Sequence, residues 1–173
     1  MAVLTRGSFS LNLGLVKLEG DLSDADRQCA WELYTELSTR VALTGKQDDP
    51  KCADFSGEIY AESLASVYAF FQEARGIMRA FPVGKLEHDI QNHLGVLING
   101  VMVDVLRPFL EKWQADYRHW WEHYSNPKLP PIERQQAYAK LKDFLRDWSD
   151  VRKLMRALQQ RLVEVYKLVE VRK

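Results

Sequence analysis

Cysteine is scarce: Cys29 and Cys52 are the only two in 173 residues. Two thiols in a chain of this size make no disulfide framework and suit a reducing compartment. Cys29 falls in a helical pattern and Cys52 in a polar loop, so both are expected as free thiols. An excess of one charge is missing too. The 24 Lys and Arg balance the 24 Asp and Glu, which removes any whole-molecule attraction to nucleic acid or to an anionic membrane. The longest apolar tract, 94–106, is interrupted by Asn99 and Asp104 and falls short of a bilayer span. The opening MAVLTRGSFSLNLG has no basic stretch followed by a sustained apolar run, so it does not read as a signal peptide. The expectation is a soluble, cytoplasmic protein with no membrane contact and no role on nucleic acid.

Most signatures of chemistry are missing as well. The chain has no glycine-rich phosphate loop, no CxxC pair, no Ser/His/Asp order in a local context and no Glu-x-x-His of the di-iron bundles. No cofactor and no catalytic activity are expected.

What the sequence has is periodicity. Leu141, Phe144, Trp148, Val151, Met155, Leu158, Leu162, Val165 and Val169 alternate at spacings of three and four, which keeps one stripe of a long helix against its neighbours. Three further helices follow from similar stripes. Ser23, Asp24 and Asp26 start one over 24–43, burying Ala30, Leu33, Leu37 and Val41 before Gly45. A second, over 57–81, carries Tyr60, Leu64, Val67, Phe71, Ala74, Met78 and Phe81. A third, over 85–124, carries Ile90, Leu94, Leu97, Val101, Val105, Phe109 and Trp113, with a kink expected around 104–108 because Pro108 removes a hydrogen bond. Pro130 and Pro131 launch the last, over 132–171, about 60 Å at about 1.5 Å per residue and long enough to protrude. The polar stretch 46–56 is expected to be the most mobile loop. Ahead of the helices, Phe9, Leu11, Leu13 and Leu15 alternate with small or polar residues, the period of a half-buried strand. The phase slips after Gly14, so a bulge there or a tight hairpin is expected, giving a strand or hairpin over 8–19 that pairs with itself or with a second copy. The fold expected for residues 1–173 is therefore one mainly α domain, a four-helix bundle of long antiparallel helices with a short N-terminal strand or hairpin.

Candidate functional residues are polar groups inside apolar patterns. Glu36 and Arg40 lie one turn apart, Arg75 falls beside the second stripe, Asp104 interrupts the third, and Arg107 precedes Pro108. A charge in a bundle core needs a partner, so Glu36 and Asp104 are expected to neutralise Arg40, Arg75 or Arg107. The competing reading is an anion or nucleotide pocket formed by converging arginines. His119-Trp-Trp-Glu-His123 matches the spacing of inverted zinc peptidases, in which two histidines four apart share a helix face. A third ligand is not evident, and an aromatic end of the bundle explains the same residues. His88 and His93 are about 140° apart around their helix, which disfavours a shared ligand. The last helix bears Arg146, Arg152, Lys153, Arg156 and Arg161 among Asp143, Asp147, Asp150 and Glu164, the pattern of a solvated, self-paired face.

The segments SFSLNLGLVKLEG, AWELYTELSTRVAL, SLASVYAFFQEARGIM and NGVMVDVLRPFLEKW, spread over about residues 8–122, resemble a set of bacterial helical-bundle proteins with no established activity. The matching positions are Glu36, Thr39, Arg40, Arg75, Asn99, Leu106, Arg107, Pro108, Phe109, Lys112 and Trp113; Gln114-Ala115 stands where those proteins tend to have His-Pro. The resemblance implies a helical fold in a bacterial cytoplasm. Patterning and resemblance together point to a module that assembles with itself or with another protein.

Overall fold

The computed structural model describes residues 3–12, 24–80 and 94–168. The chain is mainly helical and opens on a two-stranded antiparallel hairpin, β1 (Val3–Arg6) and β2 (Phe9–Asn12). Leu4 faces Leu11 and Arg6 faces Phe9. Phe9 and Leu11 are buried while Ser10 between them is exposed, as their alternation requires. Among the described residues the partner strand of β2 lies upstream, ahead of the 8–19 segment in which a strand or hairpin was expected. Gly7, at φ +55°, opens a two-residue turn of the kind that matches strand twist. Residues 13–19 of the expected hairpin lie outside the described residues.

The first and fourth helices foreseen from periodicity are each divided in two and the second starts later than expected, so the described residues form more helical segments than the four rods expected. The first becomes α1 (Asp24–Thr39) and a single turn, α2 (Val41–Thr44), separated by Arg40 in an extended conformation. Thr35, Ser38 and Thr39 donate hydroxyl hydrogen bonds back to the carbonyls of Trp31, Tyr34 and Thr35, a pattern that weakens and bends helices. Ala30, Leu33 and Leu37 are buried as expected, but the break turns Val41 outward, 44% exposed. Gly45, at φ +70°, ends α2.

The second becomes α3 (Tyr60–Ala80), burying Tyr60, Leu64, Val67, Phe70 and Ala74. The third is continuous through α4 (Leu94–Gly100), a π-helical stretch (Val101–Leu106) and α5 (Arg107–His123); its expected first turns, with His88 and His93, fall outside the described residues. Where a kink was expected, Arg107 N–H bonds to the carbonyl of Met102, five residues back. Widening the turn accommodates the ring and missing donor of Pro108 and leaves Leu94, Leu97, Val101, Val105, Phe109 and Trp113 buried.

The fourth helix splits into α6 (Pro131–Gln135) and α7 (Leu141–Tyr166). It ends at Lys167, in a left-handed cap at φ 50°, not at 171, and its buried residues run through Leu162 to Tyr166. Of the nine seam residues, Phe144, Trp148, Val151, Met155, Leu158 and Leu162 are fully or almost fully buried, Leu141 and Val165 are half-buried, and Val169 lies outside the described residues. Helix α7 packs against α1, α2, α5 and the hairpin. An aromatic layer lies at its N-terminal half, where Phe144 meets Trp148, Trp113 and Tyr117 with centroids 5.1, 5.3 and 5.2 Å apart.

Candidate functional site

The break after α1 leaves backbone carbonyls outside any helical ladder, and α7 supplies donors to them. Trp148 Nε1 donates to Ala42 O at 2.8 Å, and Arg152 Nε to the same oxygen at 3.2 Å. The guanidinium of Arg152 is fully buried. It donates to both carboxylate oxygens of Glu58, at 2.8 and 2.6 Å, and lies 4.0 Å from the centroid of Phe55. One turn on, Arg156 donates to three carbonyls, Thr44 at 2.9 Å, Lys46 at 2.5 Å and Asp49 at 2.6 Å. Lys46 Nζ closes the other side of this loop on Asp54 and Ser56. That hydrogen-bonded lysine holds the Asp54 carboxyl well below the ordinary carboxylate range. Backbone N–H groups, Asp54's first, do the same for Asp49. The stretch 46–56, expected to be the most mobile loop, is thus clamped to α7.

Gln135 ties the start of α3 to α6, accepting from Tyr60 N–H at 3.0 Å and donating to Glu58 O at 2.8 Å. Asp147, buried on α7, accepts from Lys112 Nζ at 2.7 Å and Trp113 Nε1 at 3.1 Å. The expected solvated, self-paired face of the last helix is therefore only partly present: Arg146–Asp143 and Arg161–Glu164 pair within α7, whereas Arg152, Arg156 and Asp147 reach across the core. A polar residue can sit on a buried stripe when its partners come from distant loops, and spacing carries no sign of those partners.

The expected network is not assembled. Glu36 and Arg40 do pair, at 2.6 Å and half-buried, with Arg40 also near Ser66 Oγ. Arg107 instead pairs with Glu111, and both are exposed. Asp104 and Arg75 are exposed too. The reason is registry: the apolar stripes of α3 and of the π stretch turn these three residues to the outer face. His119 and His123 share a face as their spacing requires, with ring centroids 4.8 Å apart, and both are exposed. Among the described residues no three metal-ligating side chains come together, and Glu122 between them lies beside Arg118.

What the clamped loop and α7 do build is an open groove of about 1670 Å³. Leu4 and Arg6 of β1 form one side, and Ser38, Thr39 and Val41 with loop residues from Lys46 to Cys52 form another. Lys153, Arg156, Ala157, Gln160, Val163 and Glu164 of α7 line its length. Among the described residues no helix is long and apolar enough to cross a membrane. No protein-family model matches the chain, and no curated protein or solved structure is significantly similar to it.

Proposed function

We propose that the chain is a non-enzymatic protein-interaction module, working in the cytoplasm and receiving its partner in the groove between β1, the clamped loop and α7. The supporting observation is the size and openness of that groove. Its volume of about 1670 Å³ exceeds the roughly 300–1,000 Å³ typical of small-molecule sites, and its walls are a strand, a turn of helix and a helix face held together by Arg152 and Arg156. The partner is a second copy of the chain or another protein. Light scattering separates these, and affinity capture with the native chain and with Ala157→Trp, which fills the groove, tests the reading. A partner held by the native chain and lost by the filled one is the expected result. A strict monomer that retains no partner, or one whose partner ignores the filled groove, removes it.

A second reading, the sensing of a small anion, draws on the cations along the same groove. Thermal shift with inorganic phosphate and nucleotides checks it, since a ligand at about a hundred times its dissociation constant adds about 2.7 kcal/mol. The zinc-hydrolase reading of His119-Trp-Trp-Glu-His123 has only its two exposed histidines for support.

A further inference from the structure

The groove has a chemistry as well as a shape. Leu4 and Arg6 of β1 line it and no residue of β2 does, so it runs along the open side of the hairpin, with exposed Thr5 beside the lining and not part of it. In a hairpin closed by a two-residue turn, the closing pair exchanges hydrogen bonds and the pattern then alternates. Arg6 and Leu4 therefore spend their backbone groups on Phe9 and Leu11, and Thr5 turns its N–H and C=O outward. Among the described residues no other backbone pairs with that edge.

Charge on the lining is uneven. Lys46 is met by Asp54 and Lys153 by Asp150. Arg156 donates its hydrogen bonds to carbonyls and also feels the nearby Asp49 carboxylate, while Arg6 and Lys51 have no carboxylate within ion-pair distance among the described residues. Of the two lining acids, Glu164 is already paired with Arg161, which leaves Asp48. Apolar residues share the lining with these charges: Leu4, Val41, Ala157 and Val163.

From these features we infer that the groove binds an extended acidic segment of a partner protein, which adds as a third strand on β1. Main-chain bonds to Thr5 hold the segment, its carboxylates meet Arg6 and Lys51, and its alternate apolar side chains rest on Val41, Ala157 and Val163. Nucleic acid fits less well. Stacking needs exposed rings, and Tyr34, the one aromatic on the lining, is only 5% exposed. The inference rests on the interaction reading above but is narrower than it.

The test is selection of a random phage-displayed peptide library on the full chain, followed by fluorescence anisotropy with the enriched peptides. Acidic sequences should be enriched and should bind more weakly as salt rises. Arg6→Glu with Lys51→Glu, confirmed folded by circular dichroism, should weaken them roughly tenfold or more. Replacing alternate peptide N–H groups with N-methyl should weaken binding without touching the protein. Enrichment of neutral or basic peptides, indifference to the charge reversals, or equal binding of an oligonucleotide or polyphosphate would overturn the acidic strand. If the Ala157→Trp capture succeeds while the charge reversals change nothing, the interaction module stands and the acidic strand falls.

Discussion

Arg152 and Glu58 form a two-point ion pair, 2.8 and 2.6 Å, with the arginine side chain wholly inaccessible and the glutamate 7% exposed. The pair joins the middle of α7 to the segment that enters α3, and the same guanidinium reaches the carbonyls of Ala42 and Asp54. One side chain therefore satisfies three segments that no helix would otherwise connect.

Removing one half of the pair leaves the other charged and dry. Arg152→Met should cost about 3–5 kcal/mol, measured by urea denaturation. Arg152→Met with Glu58→Gln should cost less than the sum of the two single changes, because neither charge is then stranded. A loss under about 1 kcal/mol for Arg152→Met would mean that water reaches Glu58.

The turn of the hairpin is equally specific. A Cβ on Gly7 would lie 2.6 Å from Asp150 Oδ2, and its φ of +55° is one that other residues adopt at a cost. Gly7→Ala should lower stability by about 1–2 kcal/mol from the backbone term alone. Gly76, in α3 with nothing near its missing Cβ, is the control: Gly76→Ala should leave stability unchanged or raise it by up to about 1 kcal/mol. Equal melting temperatures for the two variants would contradict this assignment.

Tyr117 is fully buried among Tyr60, Trp121, Tyr138 and Phe144, and its hydroxyl has no partner among the described residues. An unsatisfied buried polar atom costs roughly 1–3 kcal/mol. Tyr117→Phe should therefore melt at the native temperature or above it. A marked fall would show that the hydroxyl does hold a bond.

Asp49 and Asp54 have carboxyls lowered from the ordinary 3.8 by, respectively, backbone N–H groups and Lys46. A folded-state value below the unfolded one adds stability that is complete above the unfolded value and lost as pH falls through the folded one. The clamp on 46–56 should thus hold at neutral pH and loosen below about pH 4, in the carboxylate range. Amide exchange of 46–56 followed from pH 6 to pH 3 reads this directly. Loosening that begins above pH 5 would point to another group.

Both cysteines are buried and unpaired. Burial pushes the Cys29 thiol up to about 12, helped by Glu32 and Asp26, and burial raises Cys52 as well. Neither should react with a thiol reagent at pH 8 until the chain is unfolded, when both should. Fast labelling of the native protein would show that the environment of α1 or of the loop opens readily.

Periodicity carried the sequence reading as far as local physics reaches. Phe9 and Leu11, the stripe from Leu94 to Trp113 and the seam from Phe144 to Leu162 were legible because side-chain spacing alone sets which face is buried. Arg40, the interruption at 136–140 and the π stretch were not. The break at Arg40 combines local hydroxyl bonds to helix carbonyls with a distant donor, Trp148 to Ala42, the interruption at 136–140 adjoins the long-range bond of Gln135 to Glu58, and Pro108 announced a disturbance without fixing its form. The same limit hid the groove. Arg152 and Arg156 look like surface charges until the carbonyls that they serve are brought opposite them, whereas Glu36–Arg40 was found because its partners are only four residues apart, at the end of α1 and just past it.

The π turn at Val101–Leu106 holds one residue more than an α-helix of equal rise would need. Upstream and downstream halves of this rod are therefore phased to the core with a spare unit between them. Excising a single residue there tightens the turn and keeps both halves in register, whereas the same excision within α7 would swing half of its seam into water. Among the described residues, this rod is the one that carries slack in its length.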